Sequence, residues 1–148
     1  MLRRHVATTL TVILALMIGY VGVSYLTDPA GTAPAFGMAV WPEGDAAAFL
    51  ATKGARDLVT GALPLVLLIT GQRRALGWAM SLIALVPLLD AVLILSTGGS
   101  TAMAVWVHGL TAVLTLGTGL LLITEKGGSR RAGRMRAALS DETSTRPS

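Results

Sequence analysis

The sequence predicts an all-α fold, an integral membrane four-helix bundle, on three observations. Charged residues make up only 14% of the 148 residues, against about 25% in a soluble domain. Four apolar segments recur along the chain, each near the length that crosses a bilayer core. When those segments are threaded in alternation, ten of the twelve Lys and Arg residues fall on one side, the asymmetry that orients membrane proteins.

The first segment is Val6–Leu26, which carries no charge. Its 21 residues exceed the roughly 7–15 of a signal-peptide core, so a retained anchor is expected rather than a cleaved leader. The loop that follows, Thr27–Asp45, holds Pro29, Pro34, Phe36, Met38, Val40, Trp41 and Pro42, which is apolar for a solvated connection. Two readings are open. The plainer one lays the loop on the membrane surface with Trp41 at the interface; the other folds it over the mouth of the bundle as a lid.

The second segment lies within Ala46–Thr70. Its purely apolar part, Leu58–Thr70, is too short to span. The helix must therefore extend upstream through Asp57, Arg56 and Lys53, with Asp45 as its N-cap. At about 1.5 Å per residue this helix is about 37 Å long, and Pro64 is expected to kink it. The third segment is Ala75–Leu95, interrupted only by Asp90. The fourth is Ala102–Thr124, interrupted only by His108.

The basic residues set the orientation. Arg3 and Arg4 precede the first segment, Arg73 and Arg74 join the second to the third, and Lys126, Arg130, Arg131, Arg134, Arg136 and Arg146 follow the fourth. Both termini are therefore expected in the cytoplasm, with the chain in a membrane. Residues 1–124 would form the membrane domain and 125–148 a basic tail that touches lipid headgroups at most. Its end, Asp141–Ser148, has the polar composition of disorder. The pI of about 10.4 needs no nucleic acid to explain it, because no aromatic-basic stacking surface accompanies the charge.

The chain has no cysteine, which excludes disulfides, thiolate metal sites and iron–sulfur clusters. With two histidines and no nucleotide loop, nucleophile motif or metal-ligand spacing, neither a metal nor a cofactor is expected.

One polar site is. Counted from the cytoplasmic end at about 1.5 Å per residue, Asp57 lies at about 20 Å, Tyr20 at about 21 Å, Asp90 at about 22 Å and His108 at about 24 Å, with Arg56 one residue above Asp57. Four helices thus bring polar groups to one layer in the outer half of the membrane. Helical phase agrees: Lys53, Arg56, Asp57, Thr60 and Pro64 form one stripe, and His108, Thr111, Thr115 and Thr118 another. An ionisable group in a span costs roughly 2.5–3.5 kcal/mol, so it is expected to face the bundle and find a partner. Arg56 is expected to pair with Asp90, and His108 to hydrogen-bond the remaining carboxylate. Such a cluster either fixes helix register or handles a ligand or proton.

"FGMAVWPEG", "KGARDLVTGALPL", "RRALG", "LLDAVLIL" and "HGLTAV" together resemble a family of unknown function. Its members are small four-helix bacterial membrane proteins, broadly similar to the DoxX-like proteins. The resemblance covers about Tyr20–Thr124 and implies a four-helix bundle in the bacterial inner membrane with Arg56, Asp57, Asp90 and His108 as signature positions. It implies no activity. DoxX-like proteins are linked with quinone and thiol redox systems, and this chain has no thiol of its own.

On the sequence, a non-enzymatic membrane module that binds lipid, a second copy or another membrane protein ranks first. A site for a small apolar ligand, such as a quinone or isoprenoid lipid, ranks second, with Arg56 and His108 hydrogen-bonding its oxygens and Tyr20 lining the pocket. Acid–base catalysis on a lipid-like substrate by Asp57 or Asp90 with His108 ranks third. A proton-coupled transporter, which needs a dimer, ranks last.

Overall fold

A computed structural model describes residues 1–125 and is helical, with no strand among the described residues. The expected tail beyond Glu125 lies outside the described residues. The α-helices are α1 (Leu2–Thr27), α2 (Pro29–Thr32), α3 (Ala48–Ile69), α4 (Arg73–Ile83), α5 (Leu85–Ser96) and α6 (Leu110–Ile123). A π-helical turn, Met103–Gly109, leads into α6.

Three stretches are long and apolar enough to cross a membrane: Leu2–Thr27, Arg73–Ser96 and Met103–Ile123. The remaining long helix, α3, has 22 residues and is set apart by Lys53, Arg56 and Asp57 near its start. It begins later than the sequence suggested. A 3-10 turn, Gly44–Ala47, comes first, and the residue at the N-cap is Ala47, so Asp45 does not cap the helix. The Arg73–Ser96 span is broken at Ala84, between α4 and α5. Pro87 lacks an N–H, so the carbonyl of Ile83 has no donor four residues on, and α4 ends there.

The packing is built on small residues. α3 buries Gly54, Asp57, Gly61 and Pro64, and α6 buries Ala112, Thr115, Thr118, Gly119 and Leu122, both at the three-and-four spacing of one helix face. α1 runs along α3 and α4 along α6. Large apolar side chains such as Ile13, Val59, Leu89, Trp106 and Val113 point outward instead. In water that surface would be a liability; in lipid there is no such penalty, and small residues inside let the helix backbones approach.

The ends of α1, α4 and α6 are tied together. Arg3 sits in the first turn of α1, where a cation opposes the helix dipole. It compensates at the end of α6, donating to the Leu121 carbonyl at 3.1 Å and to the Thr124 hydroxyl. Both interactions satisfy acceptors at a helix C-terminus. Arg73 opens α4 and grips Glu125 with two hydrogen bonds of 2.5 and 2.6 Å, while a third reaches Thr8 on α1 at 3.1 Å. Those two parallel bonds to one carboxylate are the strong, oriented form of an ion pair.

Candidate functional site

At the opposite end, α3 places Lys53 and Asp57 one turn apart on the same face, where side chains four residues apart meet. They form an ion pair. Asp57 is only 4% exposed. The Lys53 ammonium also lies 4.8 Å from the ring centre of Tyr25 and 5.1 Å from that of Phe36. A cation held against aromatic faces is stabilised by the negative charge of the rings.

Across from this pair, Asp90 of α5 faces His108 of the π-helical turn. The Asp90 Oδ2 to His108 Nδ1 separation is 3.7 Å, beyond hydrogen-bond length. The other ring nitrogen is engaged. His108 Nε2 lies 3.1 Å from the carbonyl oxygen of Phe36; a carbonyl only accepts, so Nε2 carries the hydrogen. The Phe36 and His108 rings meet edge to face, with centres 4.8 Å apart, the preferred arrangement of such pairs.

Phe36 arrives from the loop between α1 and α3, and local chemistry holds it there. Asp28 caps α2 by accepting from the Gly31 amide at 2.9 Å. The next turn, Ala33–Phe36, stops at Gly37, whose φ of +96° favours glycine. The Gly37 carbonyl then accepts from the Ser100 amide at 2.8 Å. The loop is thus fastened to the α5 end and to His108, and it lies over the bundle as a lid.

Beneath the lid is a cavity of about 410 Å³. Its walls are mainly apolar, with Leu14, Ile18, Val21, Met80, Ile83 and Val86 contributing. Its polar residues include Lys53, Asp90, His108, Thr60, Thr111 and Thr115.

The sequence-predicted residues divide. Asp57, Asp90 and His108 come together with Lys53. Arg56 does not pair with Asp90: it is exposed, makes no ion pair among the described residues and is absent from the cavity wall. One residue along a helix is a turn of about 100°, and Asp57 takes the inward direction, so Arg56 points out. Nor does His108 hydrogen-bond a carboxylate; its donor goes to the lid. Tyr20 reaches only the rim, 74% exposed, whereas Tyr25 is 2% exposed and packs on Lys53. Phe36 was legible only as part of an oddly apolar loop, and Tyr25 carried no distinguishing signal.

Among the described residues no group of His, Asp and Glu has the geometry of a metal site. A family model described as Domain of unknown function (DUF4267) matches residues 15–122, a stretch that contains every residue of the cluster. No curated protein and no solved structure matches the chain.

Proposed function

The chain belongs to the DUF4267 family, a domain of unknown function, and from its site we propose that it is a four-span protein of the bacterial inner membrane that binds a small, mainly apolar molecule beneath its outer loop. The observation that carries this is the lidded cavity. Its volume of about 410 Å³ falls within the roughly 300–1,000 Å³ of small-molecule sites, as does its make-up of apolar walls with a few convergent polar groups. An isoprenoid-like lipid suits that shape. The sequence alone ranked a simple packing module above a ligand site; a packing module has no use for a pocket under the loop with polar residues on its wall.

In this reading α3 is the fourth span. Its 22 residues reach about 33 Å, and the mutual neutralisation of Lys53 and Asp57 lowers the cost of placing them in a bilayer. The tied ends around Arg3, Arg73 and Glu125 face the cytoplasm with both termini, and the lid faces outward, as the sorting of basic residues requires.

Native mass spectrometry of gently purified protein tests the reading. Wild type is expected to carry a stoichiometric small molecule, and Thr111→Trp, which fills the cavity, is expected to fold without it. A stoichiometric protein partner and no small molecule would return the module to first place. The facing pair Asp90 and His108 supports a second reading, acid–base catalysis on the bound molecule; it requires that wild type alter the molecule chemically and that His108→Gln return it unchanged.

A further inference from the structure

The polar groups on the cavity wall are not balanced. Its nitrogen donors are already engaged. The Lys53 ammonium is held by Asp57 and by two ring faces, and His108 Nε2–H points at the lid carbonyl. Three wall hydroxyls donate backwards into their own chain: Ser24 to Tyr20 at 3.0 Å, Thr32 to Asp28 at 2.7 Å and Thr111 to Val107 at 2.6 Å. Each keeps its lone pairs for the cavity. Other wall hydroxyls both donate and accept, and so set no preference.

The acceptors, in contrast, are open. Asp90 lines the cavity and has no hydrogen-bond donor among the described residues; the imidazole facing it, His108 Nδ1, stands 3.7 Å away. With Nε2 carrying the hydrogen, a neutral ring turns the Nδ1 lone pair toward Asp90. Two wall prolines add to this. Pro64 and Pro87 leave the carbonyls of Thr60 and Ile83 without their usual helical donors. Charge points the same way. Lys53 is paired with Asp57, and among the described residues no Lys or Arg comes within ion-pair distance of the Asp90 carboxylate. A net charge in an apolar site is costly unless a partner arrives.

We propose that the cavity takes a lipophilic amine, with its protonated nitrogen held by Asp90 and His108 Nδ1 and its apolar body filling the space between α1 and α5. This rests on the ligand-site reading above. A quinone or a fatty acid, whose head groups accept hydrogen bonds, meets the wrong side of this imbalance.

The test uses the full chain in phosphatidylcholine nanodiscs and three probes of equal length: n-decylamine, n-decanol and n-decanoate. Isothermal titration against empty nanodiscs removes simple partitioning. Saturable one-to-one binding of decylamine is expected, at least about tenfold tighter than either other probe. Asp90→Asn is expected to erase that preference while decanol binding stays as it was; if Asp90→Asn does not fold, Asp90→Glu keeps the charge and is expected to keep the preference. Decanol or decanoate binding as tightly as decylamine overturns the amine assignment and leaves the cavity reading standing. Decanoate binding tighter than decylamine overturns that assignment as well. If no probe saturates, or if Thr111→Trp binds them all unchanged, the cavity reading fails too.

Discussion

Gly22 of α1 and Gly54 of α3 meet backbone to backbone: a Cβ on Gly54 would lie 2.7 Å from the Gly22 carbonyl oxygen, and one on Gly22 would lie 2.8 Å from that of Gly54. Gly77 of α4 and Gly119 of α6 repeat the arrangement at 3.0 and 2.8 Å. Both helix pairs are therefore closed by reciprocal glycine contacts against rigid backbone. Gly54→Ala and Gly119→Ala should each destabilise the protein by about 1–3 kcal/mol, the usual cost of overpacking. Gly117 has nothing within 4 Å of an added Cβ, so Gly117→Ala should be neutral or slightly stabilising. Thermal unfolding in one detergent compares the three, and equal melting points would sink the close-contact account.

Lys53 and Asp57 should behave as a unit, and Arg56 should not. Removing Lys53 leaves Asp57 buried and unpaired, at a cost of about 3–5 kcal/mol. Lys53→Met should therefore lower folded yield and melting temperature sharply, and Lys53→Met with Asp57→Leu should recover part of the loss. Arg56→Gln should stay within about 0.5 kcal/mol of wild type, as exposed substitutions do. An Arg56 effect as large as that of Lys53 would restore the buried arginine that the sequence had suggested.

The lid can be loosened at Gly37. A side chain there meets both the positive φ and Met103, whose Cβ would lie 2.6 Å from the new one. Strain of about 1–3 kcal/mol should speed exchange of the Ser100 amide, which donates to Gly37, by roughly 5–150-fold. Hydrogen exchange of Gly37→Ala reads this directly, and an unchanged Ser100 amide contradicts the fastening.

Much of this was visible in the residues. Three apolar spans and the inward-facing Asp57, Asp90 and His108 follow from spacing, because a rare charge in an apolar run is costly and conspicuous. What spacing could not show was direction within a turn. Arg56 and Asp57 are neighbours in sequence, and only the position of α1 decides which of them turns inward. Tyr25 displaced Tyr20 for the same reason. The lid was undecidable between two surfaces until the Phe36 carbonyl met His108.

Stability at the Arg73–Glu125 end should depend on pH. The hydrogen bonds from Arg73 hold the Glu125 carboxyl below the ordinary glutamate value, which is about 4.3. A depressed folded-state pKa contributes stability that is present above that value and lost as pH falls through the folded one. The melting-point advantage of wild type over Glu125→Gln should therefore hold from pH 7 down to about 4.3 and shrink below it. An advantage that grew in acid would have the wrong sign for this pair.

Topology is open to cysteine labelling, because the chain has no cysteine of its own. A cysteine at Glu43 or Gly98 should react with an impermeant reagent from outside intact cells, and one at Gln72 should react only after lysis. Reversed labelling would invert the proposed orientation.

The wide turn at Met103–Gly109 makes the site fragile to length in a way that substitution does not reveal. A π-helical turn holds one residue more than an α-helical one. Deleting the single residue between His108 and α6, Gly109, would leave a helix still apolar and still long enough to cross a bilayer, with better backbone geometry. It would also swing His108 about 100° around the helix axis, off Asp90 and off the lid. The edited protein should insert and melt no lower than its parent, yet hold nothing under the loop. Over evolutionary time, then, selection for stability alone would erase this turn, and its persistence in a lineage would record a demand made by the cavity.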